Sequence, residues 1–318
     1  MNGTCGLCNS GLKKYLFSAS GSDLVECLNC GFVFVEKIPD WSRLKSRLDF
    51  WGKQDVSDTA RLSDSFSSEC SDDNRSKLGY IEKYAGGRGK LLEIGCSTGA
   101  FLGFARDSGW DCTGIEISED SSRYAREELG LEVLNCDFND AEFKKEGYSA
   151  LAAFDVIEHV VDPLNFVKRA NMLLGKGGVL ALSTPNFSSI TYRLLKERWW
   201  VVRCLDEHLH FFTPATMKRM LGNNGFRVAR CYTRQVDLFN IMFTLKNRKA
   251  GDYYQARDRR QNLKKVSILR MCFSAVKKLI NLSFRVWISP FYNMGEQIVC
   301  YAVKTGEPEK DVTGGKIP

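Results

Sequence analysis

The stretch Leu91-Leu92-Glu93-Ile94-Gly95-Cys96-Ser97-Thr98-Gly99-Ala100-Phe101 reads as a buried strand that breaks into a glycine turn and then opens a helix. Such a turn aims backbone N–H groups and a helix N-terminus at a bound ligand. Gly95 and Gly99 remove side chains where a nucleoside must approach the main chain, with Cys96 and Ser97 between them. Glu93, just before the turn, favours a ligand that carries positive charge. A dinucleotide phosphate would prefer no carboxylate there.

A nucleotide-binding α/β unit should supply a second acid about 20 residues further on, at the end of the next strand, for ribose hydroxyls. Glu116, followed by Ile117, meets this condition: it closes the alternating run Trp110-Asp111-Cys112-Thr113-Gly114-Ile115, and Ser118 then caps a helix. To this point a nicotinamide enzyme fits as well. Two details oppose it. Ser97 stands where the dinucleotide fingerprint has its second glycine, and a third acid, Asp137, follows the next strand, Leu131-Glu132-Val133-Leu134. An acid there can accept a hydrogen bond from an adenine amino group, with Phe138 against the ring.

Four later blocks extend the pattern: Phe154-Asp155-Val156-Ile157-Glu158-His159-Val160-Val161-Asp162-Pro163, Leu173-Leu174-Gly175-Lys176-Gly177-Gly178-Val179-Leu180, Thr184-Pro185-Asn186, and His208-Leu209-His210-Phe211-Phe212-Thr213-Pro214. With them the chain resembles a class I S-adenosylmethionine-dependent methyltransferase from about Lys77 to Val236 and again near Gly295. Within that superfamily it is similar to the branch that includes ubiquinone-biosynthesis O-methyltransferases and methyltransferases of glycan and small-metabolite pathways. The resemblance implies that S-adenosylmethionine is held by Glu93, Gly95, Cys96, Ser97, Gly99, Glu116, Ile117, Asp137, Phe138 and Asp155. Related ubiquinone-pathway enzymes bind magnesium through an acid, an acid and a histidine where this chain has Asp155, Glu158 and His159, so Mg²⁺ is a candidate here. Asp155 shortens the first of those acids. The competing reading makes Asp155 a helix cap and Glu158 a partner for the histidine.

Helices near Ala100 to Asp107, Ser118 to Leu129 and Pro163 to Leu174 alternate with strands near Ser149 to Phe154 and Val179 to Ser183, which means parallel βαβ units. Helix Pro214 to Leu221, strand Phe226 to Thr233 and a late strand over Glu296 to Lys304 follow. The expected fold is α/β: a Rossmann-like, doubly wound, mostly parallel seven-stranded sheet preceded by a small zinc-ribbon hairpin. The domain plan is a ribbon over 1–38, a polar linker or lid over 39–75, and a methyltransferase domain over 76–240 and 294–305 interrupted by a basic amphipathic insertion, 241–293. The linker carries Trp41, Phe50, Trp51 and Phe66 and reads as a lid or a tether, with the helix before the first sheet strand starting at Ser76.

Twelve cysteines in a chain that opens on a polar segment point to a reducing, cytoplasmic compartment, where most act as small hydrophobes. Four differ. Cys5-Gly6-Leu7-Cys8 and Cys27-Leu28-Asn29-Cys30 are two C-x-x-C knuckles with 18 residues between them, the spacing of a tetrahedral zinc ribbon. A redox pair is the other reading, but that usually sits at a helix start within a βαβ unit. Zinc here would be structural and would supply most of the module's folding free energy.

The formal charge is +7, concentrated between Ile241 and Cys300, where twelve Lys or Arg face three acids. Over 263–288 a helical wheel collects Val266, Leu269, Phe273, Val276, Ile280, Phe284 and Trp287 on one arc and Lys264, Arg270, Lys277, Lys278 and Arg285 on the other. Charge interrupts the run too often for it to cross a bilayer. It reads either as a helix packed on its own domain or as a peripheral contact with an anionic membrane. Nucleic acid is the weaker partner, because few stacking aromatics lie among these charges.

Methyl transfer from a sulfonium is an in-line displacement that needs alignment and exclusion of water. A hydroxyl nucleophile must also lose its proton, and histidine is matched to that task near neutrality. The chain has three histidines, all after the fourth and fifth strands of the expected parallel sheet, at the edge where such sheets bind ligands. His159 and His208 are the candidate bases, ahead of His210. Between Asn186 and Asp206 the cluster of Tyr192, Arg193, Arg198, Trp199, Trp200 and Arg203 reads as an acceptor pocket for sugar or ring faces, or as a packed crossover. The leading function is O-methylation of a small metabolite or glycan precursor, with carbon or nitrogen acceptors open. The rivals are a nucleic-acid methyltransferase guided by the ribbon and a non-catalytic nucleoside binder. Base-amine enzymes usually carry Asn/Asp-Pro-Pro-aromatic where this chain has Phe154-Asp155-Val156-Ile157.

Overall fold

In the computed structural model the described residues are 4–62, 67–143, 145–236, 241, 244 and 293–307. The basic run 263–288 and nearly all of the insertion expected over 241–293 lie outside them. Among the described residues no helix is long and apolar enough to cross a membrane.

The chain begins with the antiparallel hairpin β1 (Lys13–Ala19) and β2 (Ser22–Cys27), turned by Ser20 and Gly21 at φ 52° and 76°. Positive φ at both central residues matches the right-handed twist of the flanking strands. Strand β3 (Val33–Val35) adds to β2, and two helices follow, α1 (Trp41–Leu62) and α2 (Ser67–Ala85). The stretch expected to be a connector up to residue 75 is therefore largely helical. Its apolar period was hidden by sparseness: Leu44, Leu48 and Trp51 recur at helical spacing in an otherwise polar run, and Leu44 is fully buried.

The parallel units come next: β4 (Lys90–Ile94), α3 (Ala100–Asp107), β5 (Asp111–Ile115), α4 (Glu119–Glu127), β6 (Val133–Leu134), β7 (Tyr148–Phe154), α5 (Pro163–Leu173) and β8 (Leu174–Pro185). Strand β4 is apolar on both faces at Leu91 and Leu92, and β7 presents the fully buried run Ala150 to Ala153, as strands covered on both sides must be. The helix start after β5 carries the cap expected at Ser118, and Asp162 caps the next long helix. Ser118 accepts a hydrogen bond from the Ser121 N–H and Asp162 one from the Asn165 N–H, with Pro163 at the first turn.

The chain then passes through α6 (Ile190–Leu195), two 3-10 turns, β9 (His210–Phe211), α7 (Pro214–Asn223), β10 (Phe226–Arg234) and β11 (Gln297–Lys304). The main sheet has seven strands in the order β10-β11-β8-β7-β4-β5-β6, parallel except that β11 runs antiparallel to both its neighbours. This is the Rossmann-like, doubly wound sheet expected. The smaller sheet has the order β1-β2-β3-β9, so the N-terminal hairpin takes its fourth strand from the segment after β8.

Candidate functional site

The order reverses between β4 and β7, and the loops leaving those two strands diverge, which opens a crevice at the carboxyl edge of the sheet. A cavity of about 1250 Å³ lies there. Its walls include Gly95, Ser97, Glu116, Ile117, Asp137 and Phe138 at one end, with Asp155, Glu158, His159 and His208 also lining it.

The glycine loop has the conformation its residues imply. Gly95 and Gly99 have φ 69° and 86°, and a Cβ on either would fall 2.6 Å from Val156 Cγ2 or 2.4 Å from Leu131 Cδ1. Ser97 also takes positive φ, 48°, a strained setting for a serine, and is pinned at both ends. Its N–H donates to Glu116 Oε2 at 2.8 Å and its hydroxyl donates to Asp55 Oδ2 at 2.8 Å. Glu116 Oε1 accepts from the Ser118 N–H at 2.8 Å, so this carboxylate holds the loop in shape while facing the cavity. Asp137 Oδ1 accepts from the Asn139 backbone and side chain at 2.7 and 2.9 Å. Phe138 is buried against Phe166, with the Arg169 guanidinium 5.0 Å from its ring centre.

Three residues expected to bind cofactor do not line the cavity: Glu93, within β4, and Cys96 and Gly99, within the glycine loop itself. Glu93 is 4% exposed, its Oε2 has no hydrogen-bond partner among the described residues, and burial pushes its carboxyl up to about 8. Burial thus favours its neutral form, while the nearby Lys77 charge pulls the other way.

At the other end, the 155–159 segment is a turn, with the His159 N–H on the Val156 carbonyl at 2.9 Å. Asp155 has φ 56° and both its oxygens are occupied: the Gln297 amide donates to Oδ1 at 2.7 Å and Oδ2 at 2.8 Å, and the Ser183 hydroxyl to Oδ1 at 3.1 Å. Gln297 is held in that orientation by Arg234, whose Nε donates to its Oε1 at 2.7 Å. Glu158 and His159 converge instead with His208. One ligand atom from each of these three lies within 4.8 Å of the others.

The imidazoles are fixed by main-chain acceptors. His159 Nδ1 lies 2.9 Å from the Glu207 carbonyl and His208 Nδ1 lies 2.9 Å from the Val201 carbonyl. A carbonyl only accepts, so Nδ1 carries the proton in both rings and Nε2 is left with a lone pair. The ring centres are 4.8 Å apart. Burial, reinforced by the neighbouring imidazole, holds His159 down at about 3, and burial lowers His208 as well. Glu158 is 2% exposed, raised well above the usual carboxyl range by burial and by Asp155, and its Oε2 has no partner among the described residues. His210 is elsewhere: it stacks on Phe32 at 5.7 Å and 17° and does not line the cavity.

The magnesium set expected at Asp155, Glu158 and His159 does not form, because Asp155 is committed to Gln297 and Ser183 and the two remaining groups meet a second imidazole. Two nitrogens and one oxygen are a poor match to an ion that favours an all-oxygen shell.

The rest of the wall comes partly from α1, which the sequence left undecided between lid and tether. Trp41, Arg47, Phe50, Trp51 and Asp55 line the cavity. Trp51 Nε1 donates to Glu207 Oε2, and Arg47 lies 3.6 Å from the same carboxylate. Gly52 lets α1 approach α4: a Cβ there would sit 1.9 Å from Ser118 Oγ, and its carbonyl accepts from the Ser121 hydroxyl at 3.1 Å. A glycine inside a polar helix was the one available signal. Of the cluster read as an acceptor pocket, Trp200 lines the cavity and the fully buried Trp199 backs it, whereas the Tyr192 ring packs on Phe187 with centres 3.9 Å apart and Arg193 and Arg203 are exposed.

The four N-terminal cysteines also converge. Cys5 and Cys30 sulfurs are 3.6 Å apart and Cys8 and Cys27 sulfurs 3.5 Å, close to the roughly 3.8 Å edge of a tetrahedron with zinc–sulfur bonds of about 2.3 Å. The donor set and its spacing fit a closed zinc centre.

Comparison with known proteins agrees with this geometry. The family described as "Methyltransferase domain" matches residues 66–230. The ubiquinone biosynthesis O-methyltransferase of Nitrosospira multiformis is 29% identical over 172 residues, covering 49% of this chain and 70% of its own. That of Aromatoleum aromaticum is 25% identical over 186 residues, covering 55% and 80%. Among solved structures, the complex between the Haloferax volcanii Trm112 methyltransferase activator and the putative methyltransferase contains a chain similar at TM-score 0.52 and 13% identity, covering 83% of this chain and 98% of that one, a likeness of fold alone. With more than half its length matched and its strand-end loops arranged around one crevice, the chain belongs to the methyltransferase-domain family and is a class I S-adenosylmethionine-dependent methyltransferase.

Proposed function

We propose that the chain transfers the methyl group to a hydroxyl of a small metabolite, a sugar or a glycan precursor. The observation that carries this reading is the pair of imidazoles with unprotonated Nε2 atoms, His159 and His208, on the wall of the cofactor cavity. A carbon–sulfur bond breaks as the acceptor oxygen attacks the methyl carbon, its electron pair staying on sulfur in S-adenosylhomocysteine. The acceptor's O–H proton must leave, and His159 and His208 are the groups at which that hydroxyl is activated. The matched relatives carry O-methyltransferase in their names, which favours an oxygen acceptor. Trp41 and Trp200 offer faces for a sugar or ring, and Arg47 a charge for a phosphate or carboxylate on it.

In this reading Gly95, Ser97 and the adjoining loop receive the methionine portion, with Asp155 and Gln297 beside it. Glu116 binds the ribose hydroxyls, while Asp137 accepts from the adenine amino group and Phe138 covers the ring. The ribbon cysteines hold a structural zinc. The test is His159→Gln and His208→Gln, assayed with labelled cofactor against fractionated cell metabolites. Product formation falls by on the order of 100-fold or more, as loss of general acid–base help predicts. Calorimetric affinity for S-adenosylhomocysteine stays within about threefold, since neither imidazole belongs to the adenosyl end. Unchanged turnover in both variants overturns the assignment.

A further inference from the structure

Three donors meet at one corner of the cavity without any hydrogen bond between them. Each imidazole spends Nδ1 on a backbone carbonyl, Glu207 for His159 and Val201 for His208, which is how metal-bound histidines are generally oriented. Between them Glu158 is buried at 2% exposure with Oε2 unpartnered among the described residues, an arrangement that costs about 1–3 kcal/mol if nothing ever occupies it. The three ligand atoms lie within 4.8 Å of one another. Ligands sharing an ion at about 2.1 Å are roughly 3 to 4.2 Å apart, so small side-chain adjustments close the set. We propose that Glu158, His159 and His208 bind one divalent transition ion, of the zinc, cobalt, iron or manganese type, with His208 in the place a magnesium set would give to Asp155.

The chemistry of the donors selects the ion class. Imidazole nitrogen suits zinc, iron and cobalt, whereas magnesium asks for oxygen at near-octahedral geometry and keeps its waters. The set rises from two separate segments that are tied together. The Leu209 N–H donates to the Glu158 carbonyl at 2.8 Å and the His210 N–H to the same oxygen at 3.2 Å, which keeps the 158–159 turn against the 207–210 segment. Three protein ligands leave open positions toward the cavity, where an acceptor oxygen can coordinate. The inference rests on the reading of this corner as the place of hydroxyl activation and specifies its means: the coordinated O–H releases its proton to solvent, and the oxygen lone pair then attacks the methyl carbon while the carbon–sulfur pair departs on sulfur.

The experiment adds Co²⁺ to the full-length, zinc-loaded protein and follows calorimetry and the visible spectrum. One equivalent binds with the weak bands of nitrogen and oxygen ligation and without the strong thiolate charge-transfer bands that cobalt in the ribbon would give. Mg²⁺ binds at least about 100-fold more weakly. Glu158→Gln and His208→Asn, with thermal unfolding as the check that they fold, lower Co²⁺ affinity by about tenfold or more, while Asp155→Asn changes it by less than about threefold. Cobalt appearing only with thiolate bands, or Asp155→Asn costing as much as His208→Asn, overturns the site. If no ion binds yet the histidine variants lose turnover, this inference fails and the imidazoles act as simple bases. If the ion binds and those variants still turn over, the site stands and the proposed function falls.

Discussion

Glu93 in β4, Glu116 just after β5 and Glu158 in the turn after β7 are all buried, and burial raises the carboxyl of each, Glu93 to about 8. His159, His208 and His210 are buried too and lowered, His159 to about 3 and His210 to about 4. The two sets act on stability with opposite signs. A buried acid with a raised value keeps its proton in the folded chain after the unfolded chain has lost it, so stability falls as pH rises from the ordinary carboxyl value through about 8 for Glu93. A buried histidine with a lowered value stays neutral in the fold while the unfolded chain binds a proton, so stability falls as pH drops from about 6.5 toward 3 for His159. Ligand-free protein should therefore have a stability maximum between these limbs. Glu93→Gln, which keeps the shape and removes the titration, should flatten the alkaline limb. The fall in unfolding free energy between about pH 6 and about pH 8 should shrink by on the order of 2 kcal/mol, measured by urea unfolding at both pH values. An unchanged slope would show that Glu93 is not the group that titrates.

Among the elements, α1 shows how much of the site depends on a contact invisible in local sequence. It spans the distance between the glycine loop, through Asp55 and Ser97, and the turn before β9, through Trp51 and Glu207. Its seat on α4 is decided at Gly52, where even a methyl group would overlap Ser118. Gly52→Ala should therefore improve helix propensity by about 0.5–1 kcal/mol and still weaken the protein, because overpacking of this kind costs about 1–3 kcal/mol. If α1 covers the cofactor, S-adenosylhomocysteine affinity should fall by roughly tenfold in calorimetry, with a faster dissociation rate. Tighter or unchanged binding would make α1 a mere tether. The strand-turn-helix of β4 and α3, the acids at 116 and 137 and the two cysteine knuckles could be read from spacing, since each is a local pattern. What could not be read were the pairings that tertiary contact alone creates. Gln297 engages both oxygens of Asp155 from 142 residues away, and His208 reaches Glu158 because two loops from different strands happen to face each other.

For the molecule as a whole, the ribbon is joined to the chemistry rather than appended to it. Strand β3 pairs with β9, Val33 opposite Phe211 and Phe34 opposite His210, and the Val35 N–H donates to the Leu209 carbonyl at 2.9 Å. Leu209 in turn donates to Glu158, so an unbroken run of main-chain bonds leads from the Cys27–Phe32 turn, where the Cys27 N–H meets the Phe32 carbonyl at 2.8 Å, to the turn that carries His159. Side chains follow the same path: Cys5, Cys27, Phe32 and Phe34 share one apolar cluster with Ile157 and Phe212. A module this small cannot bury enough surface to hold its shape, so the metal the cysteines fit would also hold the wall of the proposed acceptor site. The adenosyl end in the proposed reading is built from β4, β5 and β6, none of which pairs with the ribbon sheet. The two ends should then separate on loss of zinc. Cys27→Ser with Cys30→Ser, or zinc ejection from the intact chain, should lower acceptor turnover by at least about tenfold while S-adenosylhomocysteine affinity changes by less than about threefold. An equal loss at both ends would mean that the ribbon supports the whole fold, and undiminished turnover would mean that β9 keeps its place without it; either result breaks the link drawn here between the cysteines and the histidines.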